Sequence, residues 1–180
     1  MAVYSPERIV ETLQASDAAA TTTERGRLLE DLVAYLFAHC PGVRHYNNNT
    51  LNAAGSSEID VCFWNSRHPD SFDFLPQIIV VECKNTAEAV GSAAIRVFLS
   101  KLQDMALDHG ILVATNGVTG NQENLRAAHD VIRTSFQAQG IRIIVLTRAE
   151  LESLTTTDDL VLLLQDKILR LTMQARTFDG

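Results

Sequence analysis

The sequence has few of the residues that mark membrane, secreted or zinc-binding proteins. No apolar run approaches the roughly 20 residues that a membrane-spanning helix needs. Residues 1–7 contain no basic stretch followed by an apolar one, so we expect no signal peptide. There are three cysteines, and none lies in a CxxC pair, which argues against disulfides and a zinc site. These absences predict a protein of the reducing cytoplasm.

Positive charge is also scarce. The chain has a net charge of -7, whereas a simple nucleic-acid-binding module usually has a basic face. Arginine and lysine together number 15, and the arginines are scattered along the chain instead of clustered. An acidic enzyme can still act on nucleic acid when metal ions supply positive charge at its site. Such a chain is expected to rely on a partner protein or another domain to deliver that substrate.

The remaining pattern indicates an α/β protein in which helices and strands alternate. Ser5-Pro6-Glu7 is typical of a helix start. Apolar spacing predicts further helices over residues 23–39, 91–109, 121–139, 148–154 and 158–173, and strands over 43–51, 58–64, 77–84, 110–115 and 141–146. Ala54-Gly55-Ser56 is a predicted turn. This order predicts a mixed central sheet flanked by helices, with strands 58–64 and 77–84 antiparallel.

Charged residues interrupt two of these apolar strands. Asp60 lies in the strand of residues 58–64, and Glu82 and Lys84 end the most apolar strand of the chain. Glu82 and Lys84 project from one face because they are two residues apart, and Asp60 can reach Glu82 if the strands pair. Two carboxylates can hold a hard cation such as Mg²⁺. A neighbouring lysine can orient or deprotonate water, or neutralise developing charge, as phosphodiester hydrolysis requires.

Several segments resemble motifs of one nuclease superfamily, in that family's order. Residues 55–61 (GSSEIDV) and 79–85 (IVVECKN) resemble the PD-(D/E)xK signature, with Ile59 in the place of the proline. Residues 26–32 (GRLLEDL) resemble the first-helix motif of Mrr-like restriction endonucleases, and residues 110–117 (GILVATNG) resemble their next core strand. Residues 141–146 (IRIIVL) and Leu151 to Leu154 also fit this pattern. The resemblance implies an αβββαβ core and Mg²⁺-dependent cleavage of DNA.

The resemblance also implies roles for individual residues. Asp60 and Glu82 would be metal ligands, the backbone carbonyl of Cys83 would add another, and Glu30 would contact the metal through water. Lys84 would position or activate the attacking water. Mg²⁺ is the expected cofactor, and Mn²⁺ is expected to substitute for it. We expect one domain over residues 1–180, with a core at about 24–154, an N-terminal helix within 1–20 and a C-terminal helix within 156–175.

Other residues near this signature have a functional and a structural interpretation. Glu58 is either a second ligand or an exposed charge, and Glu30 is either a ligand or part of a solvated helix face. Asn85 either contacts a phosphate or forms a turn. Lys101 and Arg96, on the next helix, are near enough to steer a nucleic-acid backbone, but residues of this kind are more often plain surface charges. The apolar helix of residues 158–173 is either a core element or an association surface, so a homodimer is one of the expected states.

Two further functions remain open from the sequence. The acidic charge suits an inactive nuclease-like subunit that binds or scaffolds, although such a subunit has no chemical reason to retain two acids beside a lysine. A nuclease for RNA or branched DNA would use the same residues. Our leading hypothesis is a DNA endonuclease that serves restriction or anti-phage defence.

Overall fold

A computed structural model describes residues 1–51, 58–118 and 122–174, with side chains omitted at 47–51, 122–127 and 174. The turn predicted at Ala54-Gly55-Ser56 lies outside these residues. The helices are α1 (Pro6–Ala18), α2 (Thr22–Ala38), α3 (Ser92–Asp104), α4 (Gln122–Gln139), α5 (Arg148–Ser153) and α6 (Thr157–Gln174). The strands are β1 (Val43–Leu51), β2 (Glu58–Asn65), β3 (Ile78–Lys84), β4 (His109–Ala114) and β5 (Arg142–Thr147).

Hydroxyl side chains fix the starts of three helices, as local sequence rules predict. Ser5 caps α1 by accepting a hydrogen bond from the Arg8 N–H, and Pro6 occupies the first helical position. Thr21 caps α2 in the same way. Thr147 and Glu150 form a reciprocal capping box at the start of α5.

The strands form a single five-stranded mixed sheet in the order β1-β2-β3-β4-β5. β1, β2 and β3 are antiparallel neighbours, whereas β3, β4 and β5 are parallel. The parallel pairs need crossover connections, which α3 and α4 supply. The predicted antiparallel pairing of the two strands that carry Asp60 and Glu82 is therefore confirmed.

Apolar side chains cover both faces of this sheet. One face packs against α1, α2, α5 and most of α6, through residues such as Leu29, Val81 and Ile144. The other packs against α3 and α4, through residues such as Phe98 and Val80. Burial on both faces explains the nearly continuous apolar sequences of β3, β4 and β5. The predicted α/β architecture, a sheet between helical layers, is confirmed.

Two details of the sequence prediction were wrong. The third helix ends at Asp104 instead of near His109, because the backbone turns at Ala106, whose φ is 53°, and His109 starts β4. Gly110 then lets β4 pass beneath α3, since an added Cβ there would lie 2.7 Å from side-chain atoms of Leu102 and Phe98. The apolar run Ile78 to Val81 predicts burial on both faces of the sheet, but Ile78, the first residue of β3, is 43% exposed because it lies at the strand end.

The last helix is a core element along one side and is exposed along another, so its predicted role as an association surface stays open. α6 buries Leu160, Leu164 and Leu171 in the core, and it exposes Leu162, Leu169 and Met173 to solvent. Oligomeric state stays a prediction. No helix in the described parts of the chain is long and apolar enough to cross a bilayer.

Candidate active site

The site lies where the pairing between β2 and β3 stops. The ladder ends with Val61 opposite Val81, and Asp60 is the next residue outward on β2. The Asp60 carboxylate accepts a hydrogen bond from the Cys83 N–H, with Oδ2 2.7 Å from that nitrogen. A side chain thus replaces the strand–strand bond at this point, and the carboxylate is held at the opening between the two strands.

Glu82 and Lys84 project from β3 on the side of α3 and α4, as their spacing predicts. The Glu82 side chain is only 4% exposed, whereas that of Lys84 is 33% exposed. The Lys84 Nζ lies 2.8 Å from Glu82 Oε1. A buried carboxylate requires such a partner, because an isolated charge in the interior is strongly unfavourable.

Lys101 completes this arrangement, and the sequence interpretation of it as a plain surface charge was wrong. Its Nζ lies 2.7 Å from Glu82 Oε2, and its side chain is only 11% exposed. It reaches the site because Phe98 and Leu102, at helical spacing around it, anchor α3 against the sheet. Both oxygens of Glu82 therefore contact an ammonium group.

The electrostatic state of the site follows from burial and these short contacts. Burial raises the pKa of the Asp60 carboxyl and the nearby charge of Glu82 raises it further, whereas the Cys83 N–H, Lys84 and Lys101 oppose the rise. Burial alone would lower the pKa of Lys84, but the charge and hydrogen bond of Glu82 outweigh it, so the net shift is upward. Lys84 is therefore an ammonium ion in this arrangement.

Glu30 and the Cys83 thiol lie toward the opposite face of the sheet. Glu30 is buried on α2, where the sequence left a solvated position equally open. Burial raises the pKa of the Cys83 thiol well above its usual value, and the charges of Asp60, Glu30 and Glu82 raise it further. Cys83 is thus a neutral, buried thiol, as expected for a strand residue that is not a nucleophile.

A polar network fixes the chain directly after Lys84. The Asn85 amide donates to Ser16 Oγ at 2.6 Å and accepts from Thr115 Oγ1 at 2.7 Å. The Thr115 N–H donates to the Lys84 carbonyl at 3.1 Å. Asn85 therefore ties the end of β3 to α1 and to the end of β4, which is a structural role, and its side-chain amide is engaged within the protein.

The structure thus brings together Asp60, Glu82 and Lys84, which the sequence singled out, and adds Lys101. Glu30 projects from α2, near enough for its charge to affect the Cys83 thiol. Glu58 is exposed, as the structural interpretation of that residue predicted. Each of the three lysines of the chain forms an ion pair with a glutamate, and two of them pair with the buried Glu82.

The donor groups of the site fit a divalent cation in their chemistry. Within residues 1–51, 58–118 and 122–174, no cluster of three or more His, Cys, Asp or Glu side chains could hold a metal ion. Asp60 and Glu82 nevertheless supply two carboxylates that lie close together, since the charge of Glu82 adds to the effect of burial in raising the pKa of Asp60. One or two carboxylates plus water are the usual protein ligands of Mg²⁺.

Comparison with known families agrees with this geometry. A family model described as a restriction endonuclease, the Mrr catalytic domain, matches residues 22–155. The chain belongs to the restriction endonuclease family. The match begins at the first residue of α2 and ends just after α5, so it includes every strand of the sheet and both crossover helices. No protein of curated function matches the sequence.

Membership of this restriction endonuclease family confirms the fold predicted from the sequence. The αβββαβ core corresponds to α2, β1, β2, β3, α3 and β4, and β5 extends the sheet by one parallel strand. The chain is accordingly a nuclease of the restriction-endonuclease type, a family that implies DNA as the substrate.

Proposed function

We propose that this chain is a divalent-metal-dependent endonuclease that hydrolyses DNA phosphodiester bonds, in restriction or anti-phage defence. The observation that carries the proposal is the convergence of Asp60, Glu82 and Lys84 where β2 and β3 part. The family match supports the same chemistry. Mg²⁺ is the proposed cofactor, with Mn²⁺ able to replace it.

Asp60 and Glu82 are the proposed metal ligands. The Cys83 carbonyl is a third, because the N–H and C=O of one strand residue point toward the same neighbouring strand. The Cys83 N–H points to Asp60, so its carbonyl faces the same opening. Glu30, buried beside Cys83, is proposed to act through water. When bound, the metal would supply Lewis-acid charge and a lower pKa for the attacking water.

Lys84 is proposed to orient the attacking water and to neutralise charge that develops on the phosphate. Deprotonation of the water by Lys84 fits less well, because its ion pair with Glu82 raises its pKa and keeps it protonated. Its side chain is one-third exposed, so it can approach a substrate without the buried end of the strand moving. An ammonium donor aimed at developing negative charge contributes through electrostatic stabilisation.

The test is cleavage of supercoiled plasmid and linear DNA by the purified chain with Mg²⁺, Mn²⁺ or chelator. Lys84→Ala should reduce cleavage by about 10²–10³-fold, the scale of losing one donor that stabilises the transition state. Arg96→Ala is the matched control, since it removes a cation from the exposed surface of nearby α3 and should remain fully active. Full activity of Lys84→Ala would refute the proposed mechanism.

Substrate class needs its own comparison. Single-stranded RNA and a branched DNA junction should be incubated beside the plasmid under the same metal conditions. We expect cleavage of the plasmid and of linear duplex DNA. Cleavage of RNA or the junction alone would transfer the same residues to a different substrate. Absence of cleavage of every substrate, with a folded protein, would instead favour a partner-activated or inactive subunit, which the net charge of -7 also suits.

A further inference from the structure

Lys101 is a buried cation that the roles proposed above do not use. It belongs to α3, outside the strand that carries Glu82 and Lys84, and its side chain is 11% exposed. Phe98 and Leu102, on the same helix, belong to the apolar cluster that packs on the sheet. Burying a lysine beside them carries a desolvation penalty, which its short contact with Glu82 and the nearby charge of Asp60 offset.

Two ammonium groups face the Glu82 carboxylate. The Lys84 Nζ lies 2.8 Å from one oxygen of Glu82, and the Lys101 Nζ lies 2.7 Å from the other. A divalent cation that binds Glu82 must approach an oxygen atom that already contacts an ammonium group, and the two positive charges repel each other. Lys84 holds Oε1, and Lys101 holds Oε2.

We propose that Lys101 is a built-in counter-ion of Glu82 that competes with the divalent metal and so weakens the metal affinity of the site. The proposal rests on the proposed function, because it takes Glu82 to be a metal ligand. Lys101 holds the buried Glu82 carboxylate in place through its 2.7 Å contact. A divalent cation at Glu82 would bind against the positive charge of this ammonium group. Lys101 is thus a positioning residue, and it sets the metal concentration at which the site fills.

The test is Mn²⁺ binding to the full chain without DNA, measured by isothermal titration calorimetry and by the metal-induced rise in melting temperature. Lys101→Gln keeps a hydrogen-bond donor for Glu82 without the charge, and Lys101→Arg keeps the charge. Arg96→Gln removes a cation from the exposed face of the same helix and is the matched control. An opposite charge this close changes the proton affinity of a carboxylate by about tenfold or more. We expect an effect of the same size on the affinity of Glu82 for a metal cation.

We expect Lys101→Gln to bind Mn²⁺ at least about tenfold more tightly than the wild type. Lys101→Arg should stay within about threefold of the wild type and Arg96→Gln within about twofold, because each keeps the cation beside Glu82. Without metal, Lys101→Gln should melt at a lower temperature than the wild type, and Mn²⁺ should restore most of this loss in melting temperature. A structural ion pair alone would lower the melting temperature without changing the Mn²⁺ affinity.

Affinity equal to or weaker than wild type in Lys101→Gln would overturn the inference, and so would equal tightening in Arg96→Gln. If Lys101→Gln does not fold, Lys101→Met decides on the same criterion, with Lys101→Arg as the control that keeps the charge. Failure of the proposed function has a different signature. In that case neither the wild type nor any variant binds Mn²⁺, and cleavage, if present, is unaffected by chelator.

Discussion

The buried carboxylate of Glu82 should stabilise the fold as well as serve the site. Glu82→Gln removes one charge from a side chain that is 4% exposed and leaves two ammonium groups near it. Removal of one partner of a buried ion pair costs about 3–5 kcal/mol. We expect Glu82→Gln to lower the free energy of unfolding by about 3 kcal/mol. The loss falls at the low end of this range because Lys84 can turn toward solvent and because the repulsion between Glu82 and Asp60 is relieved. Lys101 cannot turn outward as readily and carries most of the cost.

Urea unfolding, followed by circular dichroism, measures this difference from the midpoint and slope. Asp31→Asn is the matched control, since the ion pair of Asp31 with Arg27 has both side chains more than half exposed. Exposed pairs contribute roughly 0–1 kcal/mol, so that variant should be close to wild type. Adding Lys101→Gln to Glu82→Gln should cost less than the sum of the single changes. A loss in Glu82→Gln no larger than in Asp31→Asn would refute this reasoning.

Three other predictions follow from the fold. Gly110→Ala should destabilise the protein by roughly 1–3 kcal/mol by forcing α3 away from β4, which urea unfolding would detect; an unchanged midpoint would contradict the close packing. Tyr4→Phe should cost about 1 kcal/mol, because the Tyr4 hydroxyl donates to the buried Leu36 carbonyl at 2.7 Å; thermal denaturation tests this, and no change in melting temperature would be inconsistent with that bond. Hydrogen bonds from the loop before α6 hold the pKa of Asp159 at about 2. The stabilisation by Asp159 should therefore be complete above its unfolded pKa of about 3.9 and vanish as pH falls toward 2. Urea unfolding should thus show Asp159→Asn to be less stable than the wild type at neutral pH but not near pH 2. An equal loss in the free energy of unfolding at these two pH values would exclude this linkage.

Local chemistry explains why much of the architecture was predictable. The start of α1 at Ser5-Pro6 and the buried strand that ends at Lys84 depend on neighbouring residues, so helical caps and apolar runs reveal them. Helix ends depend on tertiary contacts as well. α3 was predicted too long because its sequence stays compatible with a helix, whereas the turn at Ala106 and the passage of Gly110 beneath it depend on packing.

The candidate site divides in the same way. Asp60, Glu82 and Lys84 could be predicted from the sequence, because strand spacing and one antiparallel pairing bring them together. The role of Lys101 could not be predicted, because its contact with Glu82 depends on how a crossover helix packs on the sheet, and no periodicity along the sequence encodes that packing. Asn85 was ambiguous for a similar reason, since its partners Ser16 and Thr115 come from distant parts of the chain.

Asp60 is the proposed metal-binding catalytic residue, and cleavage by Asp60→Asn beside Glu58→Gln tests that role. Both substitutions neutralise an acid on β2, but Glu58 is exposed and Asp60 accepts a hydrogen bond from the Cys83 N–H at the opening between the strands. With supercoiled plasmid and Mg²⁺, we expect cleavage by the wild type and by Glu58→Gln, and loss of cleavage in a folded Asp60→Asn. Undiminished cleavage by Asp60→Asn, or equal loss in both variants, would contradict this role.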